Sequence, residues 1–470
     1  MTEIESQHDF KLARLRKQVR WFFDNQKQAW IYHGATNSTR QIKFEKDRLV
    51  DVSDFNRILE INPTEKFAVM EPNVPMDKLV SETLKFSLLP PVVPEFPGIT
   101  IGGAIQGGAE ESSSFRHSLV HDCALEYELV LGNGEVIKAS REIQSDLFWG
   151  LAASYGSLGI LTKIKLKLIP AKNFVRLAYQ PVKSFNEAIE VITQKTKAPV
   201  DFIDGIMFSK NSGVIMTGIF SETADLPAVA FHRSADEWFY LHAKKICTAK
   251  VQHEELVPVR DYLFRYDRGA FWMGWHGFKL LKLPFNRLTR FLLNGICKTR
   301  TLYRLLHETN LAQRYFVQDF NLPRQKTQQF LELTDRELGI FPLWFCPLRP
   351  GQADKLSANC LDTDLVFNIG VWGKAQTDTI NFVEVNKKFE KYTAELNGRK
   401  MLYAHQYYNE KEFWKIYDLR WYKDLRAKYH ASQTFPDIYE KTRVIKKYQP
   451  SILIGIWQVI KSPFKLRIFK

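Results

Sequence analysis

Residues 160–169 read ILTKIKLKLI, with apolar and basic side chains taking turns along much of the segment. A period of two puts the apolar set on one face, which predicts a half-buried strand. Apolar runs at 129–131 and 136–138 predict two more strands. Between them, Gly132-Asn133-Gly134 predicts a hairpin turn, because Asn-Gly adopts positive φ with little strain. Residues 186–195 have helical spacing, and the Pro- and Gly-dense stretch 90–108 is rich in turn signals. Beyond Ile169-Pro170-Ala171 the pattern changes. Aromatic strands are expected at 341–347 and 365–371, and polar helices at 325–337 and 381–396. Together these elements predict an α+β protein in which a second α+β domain follows the first. No internal repeat or low-complexity tract interrupts the pattern.

A length of 470 residues suggests about two or three domains. Apolar residues are 45% and charged residues 25%. These are the proportions of a packed globular chain, so disorder, collagen-like repeats and coiled coil are poor descriptions of the whole. Cys123, Cys247, Cys297, Cys346 and Cys360 are scattered, odd in number and form no CxxC pair. Neither a disulfide scaffold nor a zinc cluster is expected, a reducing compartment fits, and no metal site is read. Residues 1–10 are polar and lack a signal-peptide pattern. The most apolar run, 451–460 (SILIGIWQVI), falls short of the ~20 residues that a spanning helix needs, so no transmembrane segment is expected.

Charge alters this picture. The net charge is +14, and it is concentrated in two acid-free segments. Residues 269–307 carry Lys279, Lys282, Arg287, Arg290, Lys298, Arg300 and Arg304, interleaved with Phe271, Trp272, Trp275, Phe278, Phe285, Phe291 and Tyr303. The tail after Glu440 carries Lys441, Arg443, Lys446, Lys447, Lys461, Lys465, Arg467 and Lys470. Basic side chains among aromatic and aliphatic ones suit peripheral contact with a membrane surface. A core-facing stretch with a solvated basic rim is the alternative. No nucleic-acid-binding signature accompanies the charge, so nucleic acid is not expected as a partner.

Three small-residue segments carry candidate chemistry. Residues 99–114 read ITIGGAIQGGAEESSS. Their paired glycines let the backbone approach a ligand closely and let successive N–H groups point inward, as a pyrophosphate requires. The spacing is not that of the Rossmann fingerprint. Residues 32–40, YHGATNSTR, form a Gly-hydroxyl loop ending in Arg40, suited to capping an anionic group. In residues 145–162, SDLFWGLAASYGSLGILT, Gly156 and Gly159 bracket small residues ahead of a strand.

In this order and at these separations, the three segments resemble the flavoprotein family of vanillyl-alcohol oxidase and p-cresol methylhydroxylase. The match narrows with Glu110-Glu111-Ser112-Ser113-Ser114, His121, Cys123 and residues 126–131 (EYELVL), which look like the delta-24-sterol reductases (the Diminuto/seladin group). Further matching stretches are Tyr262-Leu263-Phe264-Arg265-Tyr266 with Phe271-Trp272, Val317-Gln318-Asp319 with Pro323, and residues 342–347 (PLWFCP). Others are Met401-Leu402-Tyr403-Ala404 with Tyr407, Asn409 and Glu412-Phe413-Trp414, and Phe435-Pro436-Asp437 with Tyr439. Coverage runs from about residue 17 to 445. His405-Gln406 and Tyr408 depart from the group, the tail after Tyr448 has no recognised counterpart, and no membrane anchor like that of eukaryotic members is read.

The resemblance implies a two-domain FAD-binding PCMH-type flavoprotein of α+β class with a substrate (cap) domain. Its expected divisions are an FAD-binding domain at 1–170, a substrate domain at 171–400, a segment at 401–448 that returns to the flavin, and a basic apolar tail at 449–470. FAD is the implied cofactor. Asn37 stands where some relatives bear a flavin-linking histidine, so the binding is expected to be non-covalent, with His33 an ordinary loop residue. The implied FAD-binding residues are Gly34, Thr36, Asn37, Ser38, Thr100, Ile101, Gly102, Gly103, Ala104, Gly107, Gly108, Glu111, Ser112, Gly156, Gly159 and Ile160. The 100–112 backbone is expected to supply most of the pyrophosphate bonds.

The implied reaction is reduction of a sterol side-chain double bond by NADPH, with hydride passing through flavin N5. An unpolarised alkene also needs a proton donor, and Tyr403, Tyr407, His405 and Glu412 are the candidates. Arg265 and Arg268 are candidates for the NADPH phosphate. The alternatives are an oxidase of the same fold acting on an alcohol or lipid with oxygen, and a lipid carrier without catalysis. A peripheral position on the cytoplasmic face of a membrane is expected, the endoplasmic reticulum if the source is eukaryotic.

Overall fold

The computed structural model describes residues 3–34, 37–40, 45–351, 355–375, 381–445 and 448–461. The first half of the chain builds a five-stranded antiparallel sheet. Its strands are Ile58–Asn62 (β1), Phe67–Met70 (β2), Ala124–Val130 (β3), Val136–Ser140 (β4) and Ile160–Lys167 (β5), in the order β1-β2-β5-β3-β4. The alternation seen at 160–169 becomes β5. Its Leu161, Ile164 and Leu166 are buried, while Lys163 and Lys165 are half-buried and Lys167 is exposed. β3 and β4 pair across the expected hairpin, where Gly134 has φ +82°.

The second half builds an eight-stranded antiparallel sheet. Its strands are Phe174–Val182 (β6), Phe202–Ser209 (β7), Ser212–Ser221 (β8), His253–Pro258 (β9), Phe316–Pro323 (β10), Leu343–Leu348 (β11), Val366–Gly373 (β12) and Arg399–Lys400 (β13). Their order is β9-β6-β8-β7-β11-β12-β10-β13. All eight residues of β12 and all six of β11 are buried, so both faces of this sheet are covered. Period two sorts the side chains. Leu343 and Phe345 face the Phe185–Lys195, Arg324–Leu338 and Phe382–Glu395 helices. Trp344 and Cys346 face an aromatic layer of Trp238, Phe239, Tyr262, Tyr266, Phe271 and Trp272. Fully burying one such large side chain contributes about 1.5–3 kcal/mol, and this face holds many. The helices predicted in this half fall within two residues of their expected limits.

Two helical segments add to the second sheet. Residues 269–307 form the Met273–Leu280, Arg287–Leu292 and Thr299–Glu308 helices. The tail forms an Ile452–Lys461 helix that packs on Thr299–Glu308, where Gly455 lies against the Glu308 backbone. Among the described residues no helix is long and apolar enough to cross a membrane. All five cysteines are free.

Candidate functional site

A cavity of about 440 Å³ lies between the two halves. Its walls come from the 37–40 loop, the 94–110 segment, Tyr155-Gly156, β5, the 270–281 and 302–311 segments, β10, Met401, Tyr403, Lys441 and the Ile452–Lys461 helix. The expected residues Asn37, Ser38, Thr100, Gly102, Gly103, Ala104, Gly107, Gly156 and Ile160 line it. Gly34, Ile101, Gly108, Glu111, Ser112 and Gly159 do not. Thr36 lies outside the described residues.

The glycine-rich segment acts differently from expectation. It forms a short helix, Ile101–Gly107, with Thr100 at its N-cap. Most of its leading amides are already bonded: Ile101 N–H donates to the Val74 carbonyl (3.0 Å), Gly102 to Pro72 (2.8 Å) and Ala104 to Thr100 (2.8 Å). Gly103 N–H points to the Thr100 hydroxyl at 3.3 Å. These amides are therefore not an open nest, and what the glycines provide is space. A Cβ on Gly102 would sit 2.5 Å from Pro72 Cβ, whereas one on Gly107 would meet nothing within 4 Å.

Of the two cations at this wall, Arg40 was read from sequence as suited to capping an anion, whereas Lys441 was not. Arg40 is buried, with Nε at 3.3 Å from Ser38 Oγ and Nη1 donating to the Lys441 carbonyl at 3.2 Å. Lys441, counted with the basic tail, instead lines the cavity and donates Nζ to the Gly156 carbonyl at 3.2 Å. Burial, then Arg426 and Arg40, pull its ammonium down to about 7. Neither cation has a carboxylate within ion-pair distance among the described residues. Two buried, uncompensated cations beside a glycine-walled space fit a pyrophosphate. His33 lines the same wall, and burial holds its imidazole at about 4, so it is neutral there at pH 7.

A second group is acidic and phenolic. Glu95, Glu110, Asp319, Tyr303 and Tyr403 all line the cavity. Tyr403 donates its hydroxyl to Asp319 Oδ2. Burial pushes Asp319 up to about 7 and Glu95 up to about 8, and Glu110 well above the carboxylate range; the neighbouring carboxyls add to the rise in the two glutamates. Three buried carboxyls along one cavity cannot all ionise together. The sign of the pH effect follows. The folded protein holds the Glu95 proton to about pH 8 and the unfolded chain releases it near 4.5, so stability falls as pH rises between those values. Glu95→Gln is expected to unfold a few degrees above wild type at alkaline pH and together with it near pH 4, as read from paired thermal melts.

The other proton-donor candidates lie elsewhere. His405 is buried under Thr39 (3.1 Å), stacks on Tyr407, and is held at about 3 by burial and by the Lys400 and Arg40 charges. The Tyr407 hydroxyl meets Gln313 Nε2 at 3.4 Å. Glu412 is an exposed N-terminal capping residue, bonded to the Asn409 backbone at 3.0 Å. None of the three lines the cavity.

Arg265 and Arg268, candidates for a phosphate contact or else solvated charges, are instead buried and built into the fold. Arg265 is 1% exposed and pairs with Asp204 (2.9 Å) and Glu111 (3.1 Å), its guanidinium lying 4.2 Å over the Tyr262 ring. Arg268 donates to carbonyls of the 231–237 loop. Much of the remaining cavity wall is apolar. Met273, Leu280, Leu302, Leu305 and Leu306 from the basic segment meet Ile452 and Ile456 from the tail. Both segments expected as membrane contacts thus also turn a face inward. The charged tail positions 446, 447, 465, 467 and 470 lie outside the described residues.

A family profile for the FAD binding domain matches residues 11–140. The Delta(24)-sterol reductase of Homo sapiens is 28% identical over 449 residues, covering 92% of this chain and 86% of that protein. The Arabidopsis thaliana Delta(24)-sterol reductase is 29% identical over 465 residues, covering 90% and 81%. Cytokinin dehydrogenase 4 of rice is 30% identical, but over 140 residues, 29% of this chain. Similarity to that dehydrogenase spans less than a third of the chain, whereas similarity to the sterol reductases also takes in the second sheet. The chain is an α+β, FAD-binding oxidoreductase-type flavoprotein, similar along about nine-tenths of its length to delta(24)-sterol reductases.

Proposed function

We propose that the protein reduces the side-chain (delta-24) double bond of a sterol or related isoprenoid lipid, with NADPH as reductant and non-covalent FAD as cofactor. One observation carries this reading: a single cavity joins the cationic glycine wall, the Tyr403–Asp319 pair and an apolar chamber. In this reading residues 1–170 hold FAD, 171–400 hold the substrate, and 401–448 return Tyr403 to the cavity. Arg40 and Lys441 hold the pyrophosphate. Lys441→Met is expected to weaken FAD retention by about tenfold, as an ion-assisted hydrogen bond is lost, measured as flavin fluorescence released on dilution.

The chemistry that bound FAD supplies is hydride transfer, from reduced nicotinamide to flavin N5 and on to one alkene carbon. The neighbouring carbon takes a proton from the Tyr403 hydroxyl. Burial above all raises the Tyr403 pKa, so a bare phenolate is costly there and the phenol gives up its proton only as another is handed to its oxygen. Asp319, pushed up to about 7, holds a proton within hydrogen-bond reach and returns it to the phenol oxygen. The apolar chamber excludes water and takes the hydrocarbon body of the lipid.

A peripheral position on a membrane completes the proposal. Trp275, Leu281, Leu288, Phe291, Leu292 and Ile296 are exposed beside Lys279, Lys282, Arg287 and Lys298, and the Met273–Leu280 helix, which bears Trp275 and Lys279, also lines the chamber. Such a rim suits an anionic leaflet that supplies the lipid. Sedimentation with anionic vesicles tests it. An anaerobic NADPH titration tests the reaction: bleaching of the flavin, followed by recovery of colour on adding a delta-24 sterol, is expected. A flavin that ignores NADPH points to the oxidase, and a protein that does not take up FAD points to the carrier.

A further inference from the structure

A cluster away from the cavity has the form of a metal site. His253 and Glu255 sit two residues apart on β9, so both project from one face of the outermost strand of the eight-stranded sheet. The Phe239–Ala249 helix packs over that sheet and brings His242 to meet them. His242 Nε2 is 3.0 Å from each oxygen of Glu255, and His253 Nε2 is 3.3 Å from Oε2. The three ligand atoms lie within 4.8 Å of one another. Ligands at about 2.0–2.2 Å around a tetrahedral zinc ion are separated by roughly 3.4 Å, so this convergence has the right scale.

Two further observations point to a cation. Glu255 is 2% exposed, yet its ion-pair partners among the described residues are the two imidazoles alone; no lysine or arginine reaches it. Tyr179, which stands opposite His253 in the β6–β9 register, donates its hydroxyl to Glu255 Oε1 at 2.7 Å. A second partner that fixes the orientation of a ligating carboxylate is a regular part of metal sites. The Phe231 ring closes against His242 at 5.4 Å and makes the floor apolar. His253 is exposed, so the fourth coordination position opens to solvent.

We propose that His242, His253 and Glu255 bind a divalent transition-metal ion of zinc type, with water as fourth ligand. Two imidazoles and one carboxylate are borderline ligands that suit Zn²⁺ over Mg²⁺ or Ca²⁺. The ion takes the place of the protons that otherwise bridge both rings to the carboxylate. It clamps the helix to the sheet's edge strand, the strand most exposed to fraying and to pairing with other chains.

The test uses tag-free full-length protein stripped with EDTA and titrated calorimetrically with ZnCl₂ near neutral pH. One equivalent is expected to bind at micromolar dissociation constant or tighter, with a rise in the unfolding midpoint. Mg²⁺ is expected to do neither. His253→Ala alters an exposed side chain and keeps the fold, and it is expected to weaken binding at least about tenfold. His242→Ala is expected to do the same. Binding is also expected to fade at acidic pH, because protons compete with the ion for its ligands. No saturable Zn²⁺ binding, or binding undiminished in the His242→Ala/His253→Ala variant, overturns the site. Flavin content and reductase activity are expected to stay unchanged in His253→Ala, so this result stands apart from the proposed reaction.

Discussion

Tyr403→Phe is expected to leave reduction of the flavin by NADPH intact and to slow alkene reduction by about 10²–10³-fold, the usual range for a lost general acid. The variant keeps the ring and its packing and removes only the hydroxyl that meets Asp319. Stopped-flow spectroscopy separates the two half-reactions: bleaching by NADPH at the wild-type rate, then slow recolouring on addition of sterol. Asp319→Asn keeps the shape but cannot return the proton, and its turnover is expected to fall as well. In wild type the sterol half-reaction is expected to slow as pH rises above about 7, where Asp319 loses its proton. Tyr407→Phe and Glu412→Gln serve as controls, because neither lines the cavity. Full activity in Tyr403→Phe would remove Tyr403 from the mechanism and turn attention to Glu95 and Glu110.

Arg265→Met is expected to destabilise the protein by about 3–5 kcal/mol, the cost of leaving a buried charge without its partner. Asp204 and Glu111, both nearly inaccessible, share this one guanidinium. Asp204 also accepts from Tyr266 (2.7 Å) and Trp344 (3.1 Å), so the pair sits at the centre of the aromatic layer. The same ion pairs also hold the segment next to the cavity wall. Glu111 follows Glu110 directly, and Arg265 joins that segment to β7, which holds Asp204. Loss of the arginine is therefore expected to loosen flavin retention along with the fold. Denaturant unfolding of the protein measures the first effect and flavin content after gel filtration the second. Arg265→Met combined with Asp204→Asn is expected to recover part of the stability, since less uncompensated charge is then buried.

The strands and long helices were legible because burial imposes a period that the residues must obey. β5 and its alternating lysines, or the polar Arg324–Leu338 helix with Phe330, Leu331, Thr334 and Leu338 buried on one face, show this directly. The glycine-rich segment was legible as a close-approach site but not as a helix, because what fills its amides is the Pro72–Val74 backbone, distant in sequence. The cavity's chemistry was harder to read. Asp319 and Tyr403 are separated by 84 positions and meet because β10 pairs with β13, just ahead of Tyr403. Glu110 and Glu111 are neighbours with opposite fates, one facing the cavity and the other buried on Arg265. No spacing rule distinguishes them until the segment's exit from the Ile101–Gly107 helix is known. Lys441 looked like one more tail charge, since nothing local marks a lysine whose ammonium is turned inward.

The Ile452–Lys461 helix supplies two side chains, Ile452 and Ile456, to the apolar chamber. The residues proposed to handle the flavin and the proton precede it. In the proposed reaction, part of the wall that shapes the hydrocarbon site thus comes from a stretch of sequence separate from the residues that handle the flavin and the proton. Exchanging the 452–461 helix between homologues is expected to alter which lipid the proposed reaction accepts while the flavin-binding wall stays as it is.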